Sequence, residues 1–153
     1  MVVVDKTIYA LGGHDGMNYL SSVEVTTLTD NEWKPIAPMS QARYKFSAAK
    51  LDRYIFVTGG WNGGPLNSPE KHDTKTHRWT WVAGMKETRR APGMIAFNGG
   101  LLAFGGYKTR HVLFGTAGSY SCSFESYDIE RNVWTKEPFT MPECKEDFAC
   151  IVI

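Results

Sequence analysis

The sequence lacks the features that mark several large classes of protein. No apolar run approaches the roughly 20 residues of a membrane-spanning helix, and the first six residues lack the layout of a secretory signal peptide. The 17 Lys and Arg residues balance the 16 Asp and Glu residues, which leaves a formal net charge of +1. Because such a chain has no excess of basic charge, we expect neither nucleic acid nor a membrane surface among its partners.

Cysteine is scarce as well. The three cysteines, Cys122, Cys144 and Cys150, are an odd number without C-x-x-C spacing, a pattern that indicates neither a disulfide framework nor a zinc site. No N-x-[ST] glycosylation sequon is present. These absences together predict a reducing, intracellular setting and a cytoplasmic location.

Signatures of catalysis are missing too. There is no G-x-S-x-G, no phosphate-binding P-loop and no G-x-G-x-x-G. The segment Glu70-x-x-Asp73-x-x-x-His77 contains the residue types of a carboxylate–histidine metal cluster. Its two acidic residues recur as Glu125 and Asp128, which indicates that they belong to the repeated scaffold. The four histidines show no mutual spacing that suggests a metal. We therefore predict no catalytic residues, no metal and no cofactor.

What the sequence does contain is one pattern that returns three times. Its members are a double glycine, a Ser-x-Glu segment, a tryptophan and a methionine. They lie at Gly12-Gly13, Ser22-x-Glu24, Trp33 and Met39, at Gly59-Gly60, Ser68-x-Glu70, Trp79 and Met85, and at Gly105-Gly106, Ser123-x-Glu125, Trp134 and Met141. The first two copies lie 46 or 47 residues apart, a period typical of repeats of about 50 residues.

Each repeat reads as four short strands. The stretch Arg43–Gly60 contains two of them, Phe46–Leu51 and Ile55–Thr58, joined by a turn too short for anything but a hairpin. A third strand starts at the Ser-x-Glu segment, and the tryptophan leads the fourth. Pro35 and Pro138 fall in or just after that fourth strand, which predicts that it is the outer one.

The repeated segments follow one order: an apolar strand, I-Y-A-L-G-G, S-V-E, D-x-x-x-x-x-W, P-M and an arginine. This order resembles the kelch repeat over essentially the whole chain. The resemblance implies an all-β fold, a β-propeller of four-stranded kelch blades with about three blades present. Three departures stand out: Thr26-Thr27 replaces an aromatic-Asp pair, Pro69 interrupts a third strand, and Lys145 stands where Arg43 and Arg89 do. The predicted units are blade one (1–39), blade two (40–85), blade three (86–141) and a surplus first strand (142–153).

Three blades fall short of the four to eight that close a propeller ring. The chain is then a piece of a longer kelch protein, or one half of a six-bladed ring in which Phe148–Ile153 completes the first blade of a second copy, or a distorted open domain. In each case exposed blade faces predict self-association.

The resemblance also implies that the loops after the double glycines and the loops before the first strands open on one face, which binds the partner. In the third post-glycine loop Ser123 follows Gly106 by 17 positions, whereas the corresponding separation is 9 and 8 positions in the other repeats. Long loops on a rigid scaffold favour recognition. The predicted partner-binding residues are Arg43, Arg89, Arg90, Arg110, His111, Phe114, Tyr120, Tyr19, Trp61 and Tyr107. The arginines could seat an acidic peptide, but Arg43 and Arg89 occupy a repeated position and could equally serve the scaffold.

As a function, the resemblance implies a protein–protein interaction module similar to the kelch domain of kelch-like (BTB-kelch) proteins. Substrate recognition for a cullin-RING ubiquitin ligase is the leading role. The alternatives are an actin-associated kelch scaffold and a kelch-fold enzyme, either a metal-dependent lyase or a sugar epimerase. The repeated tryptophans and methionines are expected in the core, together with Cys150, whereas Cys122 and Cys144 could be reactive on the binding face.

Overall fold

A computed structural model describes residues 1–30, 32–113 and 115–148, without the side chains of residues 110–112 and 116. Every regular element in these ranges is a β-strand. Within them no helix has the length and apolar character to span a bilayer. The predicted surplus strand Phe148–Ile153 lies, apart from Phe148, outside the described residues, as does Cys150.

Three antiparallel sheets of four strands follow one another along the chain. Blade one contains β1 (Val2–Val4), β2 (Thr7–His14), β3 (Tyr19–Thr27) and β4 (Lys34–Ile36). Blade two contains β5 (Ser47–Leu51), β6 (Tyr54–Thr58), β7 (Glu70–Asp73) and β8 (Arg78–Trp81). Blade three contains β9 (Gly93–Phe97), β10 (Gly100–Phe104), β13 (Ser123–Asp128) and β14 (Val133–Thr140). The sheets confirm the expected all-β fold of four-stranded blades, and they form part of a propeller rather than a closed ring.

Local sequence explains the hairpins that start each blade. Asn98 and Gly99 connect β9 to β10 with φ angles of 49° and 74°, which is the left-handed pair of a type I′ turn. In β10 the side chains alternate, with Leu101 and Ala103 buried and their neighbours half-buried, whereas in β6 the four residues from Ile55 to Thr58 are all buried. The fourth strand lies at the outer edge of each sheet, where Pro35 in β4 and Pro138 in β14 are tolerated.

The core consists of two layers, each between successive blades. In the first layer, residues such as Tyr9, Leu11 and Val23 of blade one pack against Ile55 and Val57 of blade two. The second layer joins blades two and three, and its largest buried side chain is Trp134. The stability of the structure therefore depends on contacts between blades, since a single sheet buries only what its neighbour covers.

The expectation that all three repeated tryptophans are buried is wrong for the first. Trp134 is 1% exposed because blade two covers it, and Trp79 is half-buried under blade one. Trp33 is 46% exposed, because the described residues place no blade against that side of blade one.

The long loop after Gly106 contains regular structure that the sequence reasoning did not foresee. Strands β11 (Tyr107–Val112) and β12 (Gly115–Tyr120) pair antiparallel, from Tyr107 opposite Tyr120 to Val112 opposite Gly115. The insertion is thus a two-stranded β-ribbon that leaves blade three at its double glycine.

The expectation that the cysteines form no disulfide is wrong. Cys122 and Cys144 are bonded, with their Cα atoms 4.2 Å apart across a sequence separation of 22 residues. Cys122 follows the ribbon, and Cys144 lies in the segment after β14, so the bridge ties these two parts of blade three together. Counting cysteines could not detect this pair, because the fold alone brings the two residues together.

Candidate partner-binding face

The loops that were expected to share one face do lie side by side. Gly59 and Gly60 have φ angles of 66° and 100°, which favour glycine, and a Cβ on Gly59 would lie 2.5 Å from the carbonyl oxygen of Arg89. The backbone N–H of Gly60 donates to that carbonyl at 2.7 Å. The same bond joins Gly13 to Arg43 at 2.9 Å and Gly106 to Lys145 at 2.9 Å. Each post-glycine loop is therefore fixed against the loop that leads into the next blade, and we call the surface they form the loop face.

Arg43 and Arg89 cannot belong to the partner-binding residues of that face. Both are fully buried, and their side chains point into the scaffold. Arg43 donates to the carbonyl oxygen of Gly59 and to Oε1 of Glu70, each at 2.9 Å. Arg89 makes the equivalent contacts with Gly105 at 2.7 Å and with Glu125 at 3.0 Å. Both arginines therefore serve the scaffold, which was the alternative to a role in partner binding.

The buried carboxylates of these pairs accept further hydrogen bonds from the backbone. Glu70 also accepts hydrogen bonds from the backbone N–H groups of Ser40 and Gln41, and Glu125 accepts them from the two residues at the same positions of the next repeat. Burial lowers the pKa of the Arg43 guanidinium, and Glu70 opposes this effect. Because each charge is paired and hydrogen-bonded, the Arg–Glu pair is a repeated structural link between blades.

Aromatic side chains dominate the exposed part of the loop face between blades one and two. Tyr44 and Trp61 exchange two backbone hydrogen bonds, of 2.7 and 3.1 Å. The indole N–H of Trp61 donates to the hydroxyl of Tyr19 at 3.1 Å. The His14 ring lies 5.2 Å from the Tyr19 ring and 5.6 Å from the Tyr44 ring. The structure thus brings together two predicted residues, Tyr19 and Trp61, from different blades.

Arg90 joins this cluster to blade three. Its guanidinium lies 4.8 Å from the centre of the Tyr107 ring and 5.8 Å from that of Trp61, within the range of cation–π contacts. It also makes a bidentate ion pair with Glu146, at 2.6 and 3.1 Å. The hydrogen bonds that Arg90 donates to Glu146 raise the pKa of its guanidinium. Arg90 is therefore partly exposed, but its charge already has a partner.

A shallow cavity of about 320 Å³ opens at the centre of this cluster. It is lined by His14, Tyr19, Tyr44, Lys45, Trp61 and Arg90. Lys45 pairs with Asp147 at 2.7 Å, and this hydrogen bond raises the pKa of the lysine. Sequence reasoning missed Lys45 and Tyr44 as site residues, although they follow the buried Arg43 as Arg90 and Ala91 follow Arg89.

The β11–β12 ribbon extends the loop face on its blade-three side. Tyr120 is 53% exposed, and its ring packs edge-on against Tyr107 at 5.8 Å. Arg110 and His111 belong to β11 by their backbone, whereas their side chains, and all of Phe114, lie outside the described residues.

Glu87 anchors the base of the ribbon. Burial raises the pKa of Glu87, but hydrogen bonds from Lys136 and Lys108 and from two serines outweigh this effect and bring the pKa to about 2. The distances from its Oε1 atom to Lys108 and Lys136 are both 3.0 Å. Glu87 is thus a permanent anion that neutralises the cations around the ribbon.

The segment that resembled a metal cluster is used otherwise. Glu70 holds Arg43, and His72 lies buried between Tyr9 and Trp79. Among the described residues, no group of three His, Cys, Asp or Glu side chains could hold a metal ion.

Comparison with known proteins gives the same division of the chain as the sheets. The kelch motif matches three consecutive stretches, residues 1–40, 42–86 and 88–138. The chain belongs to the kelch-repeat family. Similar kelch proteins include a kelch repeat and BTB domain-containing protein of Caenorhabditis elegans, 29% identical over 86% of this chain, kelch-like protein 28 of Homo sapiens, 37% over 71%, and an F-box/kelch-repeat protein of Arabidopsis thaliana, 31% over 69%. The chain spans only 22%, 21% and 30% of their respective lengths.

Within this kelch chain the residues that recur in every repeat and the residues that vary between repeats lie in different parts of the structure. The double glycines and the buried Arg–Glu pairs recur and hold adjacent blades together. The residues after each buried cation differ, since Tyr44 follows Arg43 and Arg90 follows Arg89. The loop face thus combines a constant support with a variable surface.

Proposed function

We propose that this kelch chain is a protein-interaction module that binds its partner through the loop face. The observation that carries the proposal is the cluster of Tyr19, Tyr44, Trp61 and Tyr107 around Arg90, which draws on all three blades. Tyrosine, tryptophan and arginine are the side chains enriched at the energetic centres of protein interfaces.

The charge of the face favours an aromatic or apolar anchor over a purely acidic ligand. Arg90 pairs with Glu146, and Lys45 pairs with Asp147. An acidic peptide would therefore have to displace a carboxylate before it gained a guanidinium. We propose a partner segment that inserts an apolar side chain into the cavity and places a carboxylate at its rim, in competition with Glu146.

At the biological level we propose substrate recognition for a cullin-RING ubiquitin ligase, as in the kelch-like adaptors that this chain resembles. The names of two relatives support this role, since the C. elegans protein is a kelch repeat and BTB domain-containing protein and the Arabidopsis protein is an F-box/kelch-repeat protein. On this proposal the partner is a protein whose abundance the ligase controls.

The test compares proteins captured by immobilised wild-type chain with those captured by a Trp61→Ala/Tyr107→Ala variant. Trp81→Ala is the matched control, because Trp81 is an equally large aromatic residue, 52% exposed, on the outer strand of blade two. We expect one set of proteins to be lost with the double variant and kept with the control. Identical sets for all three would refute binding through the loop face.

The ligase role has a separate test. Proteins in the lost set are measured in cells that express the wild-type chain or the double variant, with and without inhibition of cullin neddylation. A ligase substrate accumulates upon inhibition and responds to the wild-type chain alone. If no captured protein changes in abundance, the ligase role fails while the interaction module stands.

A further inference from the structure

The Cys122–Cys144 disulfide joins two segments at the border of the loop face. Cys122 separates the β11–β12 ribbon from β13, and Cys144 belongs to the segment 142–147, which we call the acidic loop. Cys144 is exposed, whereas Cys122 is half-buried. A thiol in solution therefore has access to the bridge from the side of Cys144, and disulfides with such access are the ones that exchange readily.

The bridge is an addition to a blade that closes by other means. In the first two repeats the same two positions hold residues that cannot form a disulfide: Ser21 and Ala42 in the first, Asn67 and Thr88 in the second. In each of the three repeats, the residue at the first position accepts a backbone hydrogen bond from the methionine after the fourth strand, at 2.9, 2.9 and 2.8 Å. Because blade three shares this hydrogen bond with blades that have no disulfide, we expect its four strands to stay paired after reduction.

Pro142 removes an anchor that the equivalent loops of the other repeats have. In those loops Ser40 and Lys86 occupy its position, and each donates its backbone N–H to a buried glutamate. Proline has no N–H to donate. The disulfide at Cys144, two residues further on, gives the acidic loop a covalent anchor in the place of that hydrogen bond.

The acidic loop supplies the anions of the loop face. Glu146 makes the bidentate ion pair with Arg90, at 2.6 and 3.1 Å, and Asp147 pairs with Lys45 at 2.7 Å. Both cations line the cavity of about 320 Å³ inside the aromatic cluster. The position of the acidic loop therefore decides whether a carboxylate of another molecule can reach these cations.

We propose that this disulfide is a reversible redox switch that regulates the loop face. The inference rests on the proposed function, because it concerns the access of the partner to the same cavity. In the oxidised chain the bridge holds Glu146 and Asp147 against the two cations, and the face is closed to a competing carboxylate. In the reduced chain the acidic loop yields, and a carboxylate of the partner takes the place of Glu146 at Arg90.

The reductant is a low-molecular-weight thiol. Its thiolate attacks the sulfur of Cys144, the S–S bond breaks, and Cys122 leaves as a thiolate that takes up a proton. A second thiolate then attacks the mixed disulfide and releases Cys144, which also takes up a proton. The protein gains two electrons and two protons, and the two reductant molecules leave as their own disulfide.

Amide hydrogen exchange of the full chain, in mixtures of reduced and oxidised glutathione, tests the effect on the acidic loop. The reporters are the N–H groups of Gly106 and Asp147, which form backbone hydrogen bonds of 2.9 and 3.1 Å at this loop. We expect both to exchange several times faster after reduction. Gly60 is the internal control, since it forms the same bond as Gly106 one repeat earlier and should not respond.

The effect on binding is measured with the proteins that the loop face captures, purified and titrated against the oxidised and the reduced chain. We expect the dissociation constant to be about fivefold lower for the reduced chain, the upper range for one exposed ion pair. Glu146→Gln should reach the lower value in both redox states, because the competing charge is gone. Glu143→Gln is the matched control, since Glu143 lies in the same loop but pairs with Lys145 outside the cavity.

Two cysteine variants separate the bridge from other thiol chemistry. Cys122→Ser/Cys144→Ser should behave as the reduced chain in every buffer, whereas Cys150→Ser should keep the redox response. Equal affinity in both redox states, with the dependence on Trp61 and Tyr107 intact, overturns the switch and leaves the interaction module standing. If no capture depends on Trp61 and Tyr107, the module fails, and the exchange at the acidic loop still decides whether the disulfide controls that loop.

Discussion

Replacement of His72 by phenylalanine should stabilise the protein and remove most of its sensitivity to mild acid. His72 is fully buried between blades one and two, with its ring 5.0 Å from that of Trp79 and 5.9 Å from that of Tyr9. Neither ring nitrogen has a hydrogen-bond partner among the described residues. An unpaired buried polar group costs roughly 1–3 kcal/mol, so His72→Phe should raise the free energy of unfolding by about 1 kcal/mol at pH 8.

The pH dependence follows from the pKa of the same ring. Desolvation, and secondarily the nearby His77, lower the pKa of His72 from 6.5 to about 4, while Asp73 opposes this shift. Because the folded state binds the proton more weakly than the unfolded state, the neutral ring contributes fully above pH 6.5. That contribution declines as the pH falls from 6.5 to 4. At pH 5 the loss relative to pH 8 amounts to about 2 kcal/mol.

Urea unfolding followed by tryptophan fluorescence at pH 8 and pH 5 measures both effects. We expect the wild type to lose about 2 kcal/mol more than His72→Phe between the two pH values. His77→Gln is the control, since His77 is exposed and its removal leaves the buried ring in place. An equal loss in wild type and His72→Phe would show that His72 is not the group that titrates.

Three further predictions concern the links between and within blades. Arg89→Leu should lower the free energy of unfolding by about 3–5 kcal/mol because it leaves Glu125 buried without its cation, and adding Glu125→Leu should recover part of that loss in urea titrations. Cys122→Ser should cost about 3 kcal/mol for a loop of 22 residues under oxidising conditions and nothing after reduction, while maleimide labelling of unfolded wild type should rise by two equivalents on reduction. Gly59→Ala should lower the melting temperature far more than Gly63→Ala, because both glycines have positive φ but only Gly59 meets a carbonyl oxygen.

The sequence was sufficient to predict the blades because their signals are local and repeated. The double glycines require positive φ, the Asn98-Gly99 turn defines a hairpin, and the prolines of the fourth strands indicate an edge. Spacing alone could not distinguish the two uses of a repeated arginine. Only the fold shows that Arg43 reaches Glu70, which lies 27 residues further along the chain.

The candidate site was predictable in part. Tyr19, Trp61, Arg90 and Tyr107 were expected on one face, and in the structure Tyr19 contacts Trp61, while Arg90 lies over the rings of both Trp61 and Tyr107. The carboxylates that neutralise this face could not be foreseen, since Glu146 lies 56 residues from Arg90. The Cys122–Cys144 disulfide could not be predicted for the same reason, because two distant segments meet only once blade three has folded.

The three loops before the first strands show how one scaffold supports different surface chemistry. Each loop contains a triplet, Arg43-Tyr44-Lys45, Arg89-Arg90-Ala91 or Lys145-Glu146-Asp147. The carbonyl oxygen of the first residue always accepts the N–H of a double glycine, and the third residue always has a positive φ, of 50°, 49° or 59°. The three loops therefore share this hydrogen bond and this left-handed residue, while the middle residue changes from an aromatic ring to a cation to an anion.

This constancy explains why the middle residues can interact across blades. Arg90 lies next to Glu146 of the following loop and, through Trp61, next to the aromatic cluster around Tyr44. A substitution at a middle position changes the chemistry of the loop face but leaves the buried Arg–Glu pairs and the hydrogen bonds of the double glycines in place. The binding preference of the face should therefore vary more than the stability of the propeller, so that Arg90→Tyr alters partner capture while it lowers the free energy of unfolding much less than Arg89→Leu, whose ion pair is fully buried.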